Sequence, residues 1–89
     1  MSAWTREAIR AAVIEVLCSI APETDAATIV PDEPLRSQLD IDSFDFLNVV
    51  IRLHERLGVD VPESDYAALA TLNGAVDYLA RRLAAGQQG

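Results

Sequence analysis

The run Leu39-Asp40-Ile41-Asp42-Ser43-Phe44-Asp45-Phe46-Leu47 joins an acidic, proline-bearing connection to a helical period. Behind it, residues 23–42 carry Pro31 and Pro34 and show no helical spacing. Ahead of it, apolar residues recur at Leu47, Val50, Leu53 and Leu57, with Phe46 and Val49 beside them. That is one face of an amphipathic helix. Asp42-Ser43 stands at the boundary, where a short polar side chain can accept a hydrogen bond from a first-turn N–H. Gly58 follows the last periodic residue and suits the left-handed position that closes a helix. The spacing predicts a helix over 43–57.

Working outward, Ile9, Val13, Val16, Leu17 and Ile20 predict a first helix over 4–20, stopped by Pro22. The roughly 20-residue connection that follows is long for so small a chain, and such loops are functional or pinned. Ile29, Val30, Leu35, Leu39 and Ile41 are the expected pins. Beyond Gly58, Val59-Asp60-Val61-Pro62 reads as an extended link. A short helix over 64–69 turns Tyr66 and Leu69 inward. Thr71 or Asn73 caps a last helix over 73–84, through Val76, Leu79 and Leu83, with Arg81 and Arg82 at its cation-favouring end. Residues 85–89 are expected to fray as a tail. No strand-like alternation or repeat is present. The expectation is one all-α domain over 1–89, a four-helix bundle with a long first loop and a short third helix.

Eighty-nine residues bury little more than about 60% of the surface the unfolded chain exposes, so the core is thin. Fourteen acidic residues face seven arginines and no lysine, for a net charge of −7. Nucleic acid and anionic lipid need a positive surface and are disfavoured; a basic docking patch on a protein partner is the natural complement. Residues 40–66 hold seven acids against Arg52 and Arg56, whereas the chain from 67 on is net positive. The lone Cys18 excludes an internal disulfide and reads as a packing residue. With no apolar leader near the N-terminus and no run of about 20 apolar residues, the expected location is cytoplasmic.

As chemistry, Asp42-Ser43 alone is an ordinary helix start. Its place gives it more: a serine hydroxyl where a loop meets a helix N-terminus, with unpaired first-turn N–H groups nearby. A phosphodiester at Ser43 would meet those groups and the positive end of the helix dipole. A serine hydrolase is excluded by distance, since Ser43 and His54 are about 16 Å apart along one helix. Asp40, Asp42 and Asp45 resemble part of a calcium loop but lack its glycine and its closing glutamate, so no metal is expected. His54 reads as a solvated helix residue.

At this point the chain resembles the acyl carrier protein family, over roughly residues 7–83 and most closely from Leu35 to Leu79. The matching segments are Leu39-Asp40-Ile41-Asp42-Ser43-Phe44, then Val61-Pro62-Glu63-Ser64-Asp65, then Thr71-Leu72 and Ala75-Val76-Asp77-Tyr78-Leu79. The resemblance implies that Ser43, preceded by Asp42, accepts 4′-phosphopantetheine from coenzyme A through a separate phosphopantetheinyl transferase. It implies a carrier, not an enzyme, whose arm presents acyl thioesters to enzymes of lipid, fatty acid or polyketide-type biosynthesis. It also implies that Phe44, Leu47 and Ile51 touch partners, flanked by Asp42, Asp45 and Glu55.

Some positions depart from the family pattern. Asp40 stands where a glycine is usual and is expected to take a left-handed turn, which Asp tolerates better than most residues. Phe44 replaces a leucine. Asn48, Arg52, His54 and Arg56 make the second helix less acidic than in housekeeping carriers, which points to a specialised carrier. Phe46 is larger than the residue usual near the acyl pocket. An acidic helical adaptor without a prosthetic group, or an aminoacyl or peptidyl carrier, remains the alternative. A monomer is expected, because no large apolar surface stripe is left once the core is assigned.

Overall fold

The computed structural model describes residues 4–85. Helix α1, Arg6–Ile20, begins where Thr5 Oγ1 accepts from the Ala8 N–H at 3.1 Å. It buries Ile9, Ala12, Val13, Val16 and Leu17, and packs against both later long helices, α3 (Ser43–Leu57) and α4 (Leu72–Ala84). Between α3 and α4 runs a 3₁₀ segment, Glu63–Leu69, which packs on α4. Among the described residues the fully buried core is aliphatic apart from Tyr78. The architecture is the expected all-α bundle. Residues 86–89 of the expected tail lie outside the described residues.

The connection from α1 to α3 is more ordered than its sequence suggests. It holds a 3₁₀ turn, Ala26–Thr28, and a four-residue helix, α2, Leu35–Gln38. Four residues give no periodicity to read, so the loop assignment missed them. Ile29, Leu35, Leu39 and Ile41 are buried as expected, but Val30 is exposed. The backbone of Val30 is the part that is held: its N–H donates to Gln38 Oε1 at 2.6 Å, and its carbonyl accepts from Gln38 Nε2 at 2.8 Å. Gln38 Nε2 also reaches the Glu33 carbonyl at 2.9 Å. One amide thus satisfies three backbone groups that have no ladder to join.

The same loop is tied to the start of α4. Leu35 N–H donates to the Ala70 carbonyl at 2.8 Å, and Asn73 N–H to the Pro31 carbonyl at 3.0 Å. Asn73 Nδ2 donates to Asp32 at 2.7 Å. Thr71, and not Asn73, caps α4, accepting from the Gly74 N–H at 3.0 Å.

Asp40 does not take a left-handed conformation: among the described residues only Gly58, at φ 74°, has a positive φ. Ile41 N–H donates to the Leu39 carbonyl at 2.8 Å instead. That three-residue closure around Asp40 is an inverse γ-turn, which runs at negative φ and needs no glycine.

Gly74 is required for a different reason. A Cβ there would lie 2.7 Å from the Ala68 carbonyl oxygen and 2.9 Å from Thr71 Oγ1. Gly74→Ala should therefore destabilise the fold by about 1–3 kcal/mol, the range for overpacking; an unfolding midpoint equal to wild type in urea would refute this.

Tyr78 fastens α4 to the segment before it. Its hydroxyl donates to Asp65 at 2.6 Å and accepts from Arg82 Nη1 at 2.6 Å, while Arg82 Nη2 reaches the Asp60 carbonyl at 3.1 Å. Burial, and next the Asp65 hydrogen bond, push the Tyr78 phenol above its ordinary value. The unfolded chain therefore ionises first, at about pH 10. The stabilisation is complete below that pH and is lost as pH rises through the folded value. Tyr78→Phe should cost about 0.5–1.5 kcal/mol at neutral pH and should lose less stability than wild type between pH 9 and pH 11, followed by urea unfolding.

Candidate functional site

Ser43 is the first residue of α3, and its side chain is exposed. Asp42 is the N-cap: its Oδ1 accepts from the Asp45 N–H at 2.9 Å, and Asp45 Oδ2 accepts from the Asp42 N–H at 3.3 Å. This reciprocal cap fixes where the helix starts and which way Ser43 faces. Asp42 and Asp45 thus fold the site. The cap consumes the N–H of the third helical residue and leaves those of Ser43 and Phe44 without an intrahelical partner.

The other neighbour of Ser43 comes from the loop. Arg36 Nη2 donates to Ser43 Oγ at 3.3 Å. Sequence reasoning missed Arg36, because nothing in a seven-residue separation across two turns reveals a contact. The pins on α2, Leu35 N–H to Ala70 and Gln38 to Val30, bring it there.

From Ser43 a groove of about 660 Å³ runs between α3 and the 3₁₀ segment. Phe46 and Leu47 line one wall, Tyr66, Ala67 and Ala70 the other, and Arg36 and Glu63 stand at its polar edges. Phe46 and Tyr66 meet edge to face, ring centroids 5.6 Å apart at 67°, an arrangement favoured by the ring quadrupoles. The aromatic at position 46 therefore narrows the space between the two elements.

On the outer face of α3, Phe44 is 80% exposed, Leu47 43% and Ile51 47%. The buried face of that helix is Val49, Val50, Leu53 and Leu57, so Leu47 belongs to the outer stripe and not to the core stripe. The expectation that no apolar stripe remains on the surface is corrected by the same three side chains. Glu55 lies off this stripe. It lines a crevice against α1 together with Arg52 and Arg56.

Those two arginines are engaged there. Arg52 Nη1 donates to Ser19 Oγ at 3.4 Å, and Arg56 pairs with Glu15 at 2.6 Å. The hydrogen bond from Arg56, and then its charge, hold the Glu15 carboxyl below the usual carboxylate range. The positive charges that depart from the family pattern thus face α1 and leave the apolar stripe uncovered. His54 is exposed, and no cluster among the described residues could hold a metal ion. Nor is any helix among them long and apolar enough to cross a membrane.

Ser43 is thus an exposed serine on a capped helix, with a guanidinium at its oxygen and an apolar groove beside it. Residues 7–79 match the family model described as a phosphopantetheine attachment site. The acyl carrier protein of Acidothermus cellulolyticus is 31% identical over 80 residues, covering 88% of this chain and 92% of its own length. That of Myxococcus xanthus is 30% identical over 77 residues, covering 84% and 94%. The meromycolate extension acyl carrier protein of Mycobacterium leprae is 29% identical over 77 residues, covering 86% and 66%. The chain belongs to the acyl carrier protein family, and its prosthetic group is a covalently attached 4′-phosphopantetheine.

Proposed function

We propose that this protein carries acyl groups on a phosphopantetheine arm at Ser43 in fatty acid or lipid biosynthesis, performing no catalysis itself. The observation that carries this reading is the placement of Ser43, exposed at the first position of α3 inside the matched span. The terminal thiol of the arm supplies the chemistry, holding cargo as a thioester. The chain supplies the rest: a nucleophilic oxygen held by a rigid cap and a surface that enzymes can grip.

In the loading step, Ser43 Oγ forms a bond to the phosphorus that bears the pantetheine of coenzyme A. The pyrophosphate bond breaks, adenosine 3′,5′-bisphosphate leaves with its electron pair, and the serine proton passes to the transferase. An adaptor without a prosthetic group would share the fold and charge, but the match to a phosphopantetheine attachment site favours the carrier. Incubation with coenzyme A and a broad-specificity transferase should add the mass of one phosphopantetheine to the wild type and none to Ser43→Ala. An unmodified wild type would sink the proposal.

The stripe Phe44, Leu47 and Ile51 is our proposed contact for the transferase and acyl-handling enzymes, with Asp42 and Asp45 meeting basic residues around it. Exposed aromatic and aliphatic anchors amid charge are the usual source of docking energy. Glu55, turned toward the α1 crevice, contributes charge at the margin. Phe44→Ala should lower transferase kcat/KM by about 5- to 30-fold, the ~1–2 kcal/mol of an interface contact just short of a hot spot, mostly through KM, with unfolding unchanged. Equal loading kinetics would place the contact elsewhere.

A further inference from the structure

We infer that Arg36 clamps the phosphodiester of the arm and sets the direction in which the arm leaves the protein. The inference rests on the reading of Ser43 as the attachment point. Arg36 Nη2 already donates to Ser43 Oγ at 3.3 Å. Among the described residues Arg10, Arg36, Arg52 and Arg81 make no ion pair with a carboxylate, and of these only Arg36 donates to Ser43 Oγ. In a chain with twice as many acids as arginines, a cation left without a carboxylate beside the attachment oxygen calls for an anion.

An anion attached at Ser43 needs a cation beside it. Ser43 stands between Asp42 and Asp45, so a phosphodiester brings a further negative charge to an acidic turn. Like charges this close repel unless a cation intervenes. A guanidinium is the suitable cation, because its planar fork of N–H donors matches two phosphate oxygens at once. After loading, Ser43 Oγ is an ester oxygen, and the non-bridging oxygens, two bonds away across the phosphorus, are the stronger acceptors. Arg36 can reach them by side-chain rotation, since its backbone is held in place: Leu35 N–H bonds the Ala70 carbonyl and the Gln38 amide grips Val30. Arg36 also lines the mouth of the groove with Phe46 and Tyr66. A phosphate clamped there starts the arm along that groove instead of into solvent.

Arg36 is thus a positioning residue for the prosthetic group, and its role is readable without any acyl transfer. Wild type, Arg36→Gln and Arg36→Lys would each be loaded with coenzyme A and a broad-specificity transferase, weighed, and compared by phosphorus NMR and thermal unfolding. In the wild type, loading should raise the unfolding midpoint by about 2–4 °C at low salt, as expected for one exposed charge pair in a small domain. That rise should be lost in Arg36→Gln and shrink in wild type at 1 M salt. The phosphodiester resonance should be narrower in Arg36→Gln, reporting a freer phosphate, with Arg36→Lys between. A second readout needs no variant to be loaded: in nitrogen-15-labelled wild type, the Arg36 side-chain Nε–H should shift and become more rigid on loading. Equal linewidths in loaded wild type and Arg36→Gln, or an Arg36 Nε–H unmoved by loading, would overturn the clamp while leaving Ser43 as the attachment point. A wild type that gains no mass would remove the attachment reading, and the clamp with it.

Discussion

The loop between α1 and α3 is the part of this fold that has to be held, and the hydrogen bond from Leu35 N–H to the Ala70 carbonyl, 2.8 Å long, is what fastens it to the far side of the molecule. A thin aliphatic core cannot absorb a connection of more than twenty residues by burial alone. Four apolar side chains dip into the core, but direction comes from polar pins: Gln38 on Val30 and Glu33, and Asn73 on Pro31 and Asp32. Through them the start of α4 determines where α2 sits, and α2 determines what stands beside Ser43. Close approach of Gly74 to the Ala68 carbonyl belongs to the same arrangement, since it lets α4 begin immediately after the segment that supplies Ala70.

Helix α3 does two jobs with two apolar faces. Val49, Val50, Leu53 and Leu57 hold it to the bundle, while Phe44, Leu47 and Ile51 remain outside at the spacing of one helix face. Its positive side chains lean on α1, where Arg52 meets Ser19 and Arg56 meets Glu15. The capped end of the helix holds Ser43, and the outer stripe begins one residue later.

Long periodic segments were legible because each buries a stripe wide enough to repeat. The span 43–57 and its closing Gly58 could be read directly, and so could the four-helix class. The errors fall where period gives no information. Val30 was expected to be a pin, yet its backbone is held and its side chain is not. Leu47 fits the helical spacing but sits just past the edge of the buried face. Asp40 was expected to turn left-handed because a glycine is usual there, and an inverse γ-turn makes the same reversal at negative φ.

By itself the sequence determined the helices, the acidic balance and the serine at a helix start, since these follow from local spacing, composition and capping chemistry. It carried enough register to identify the family. What only the tertiary structure decided is the company Ser43 keeps. Arg36 at its oxygen, the Phe46–Tyr66 contact and the groove beyond depend on pairs separated along the chain, joined by hydrogen bonds and packing that no periodicity encodes. Local physics places the hydroxyl; long-range contacts supply the charge and the shape that surround it.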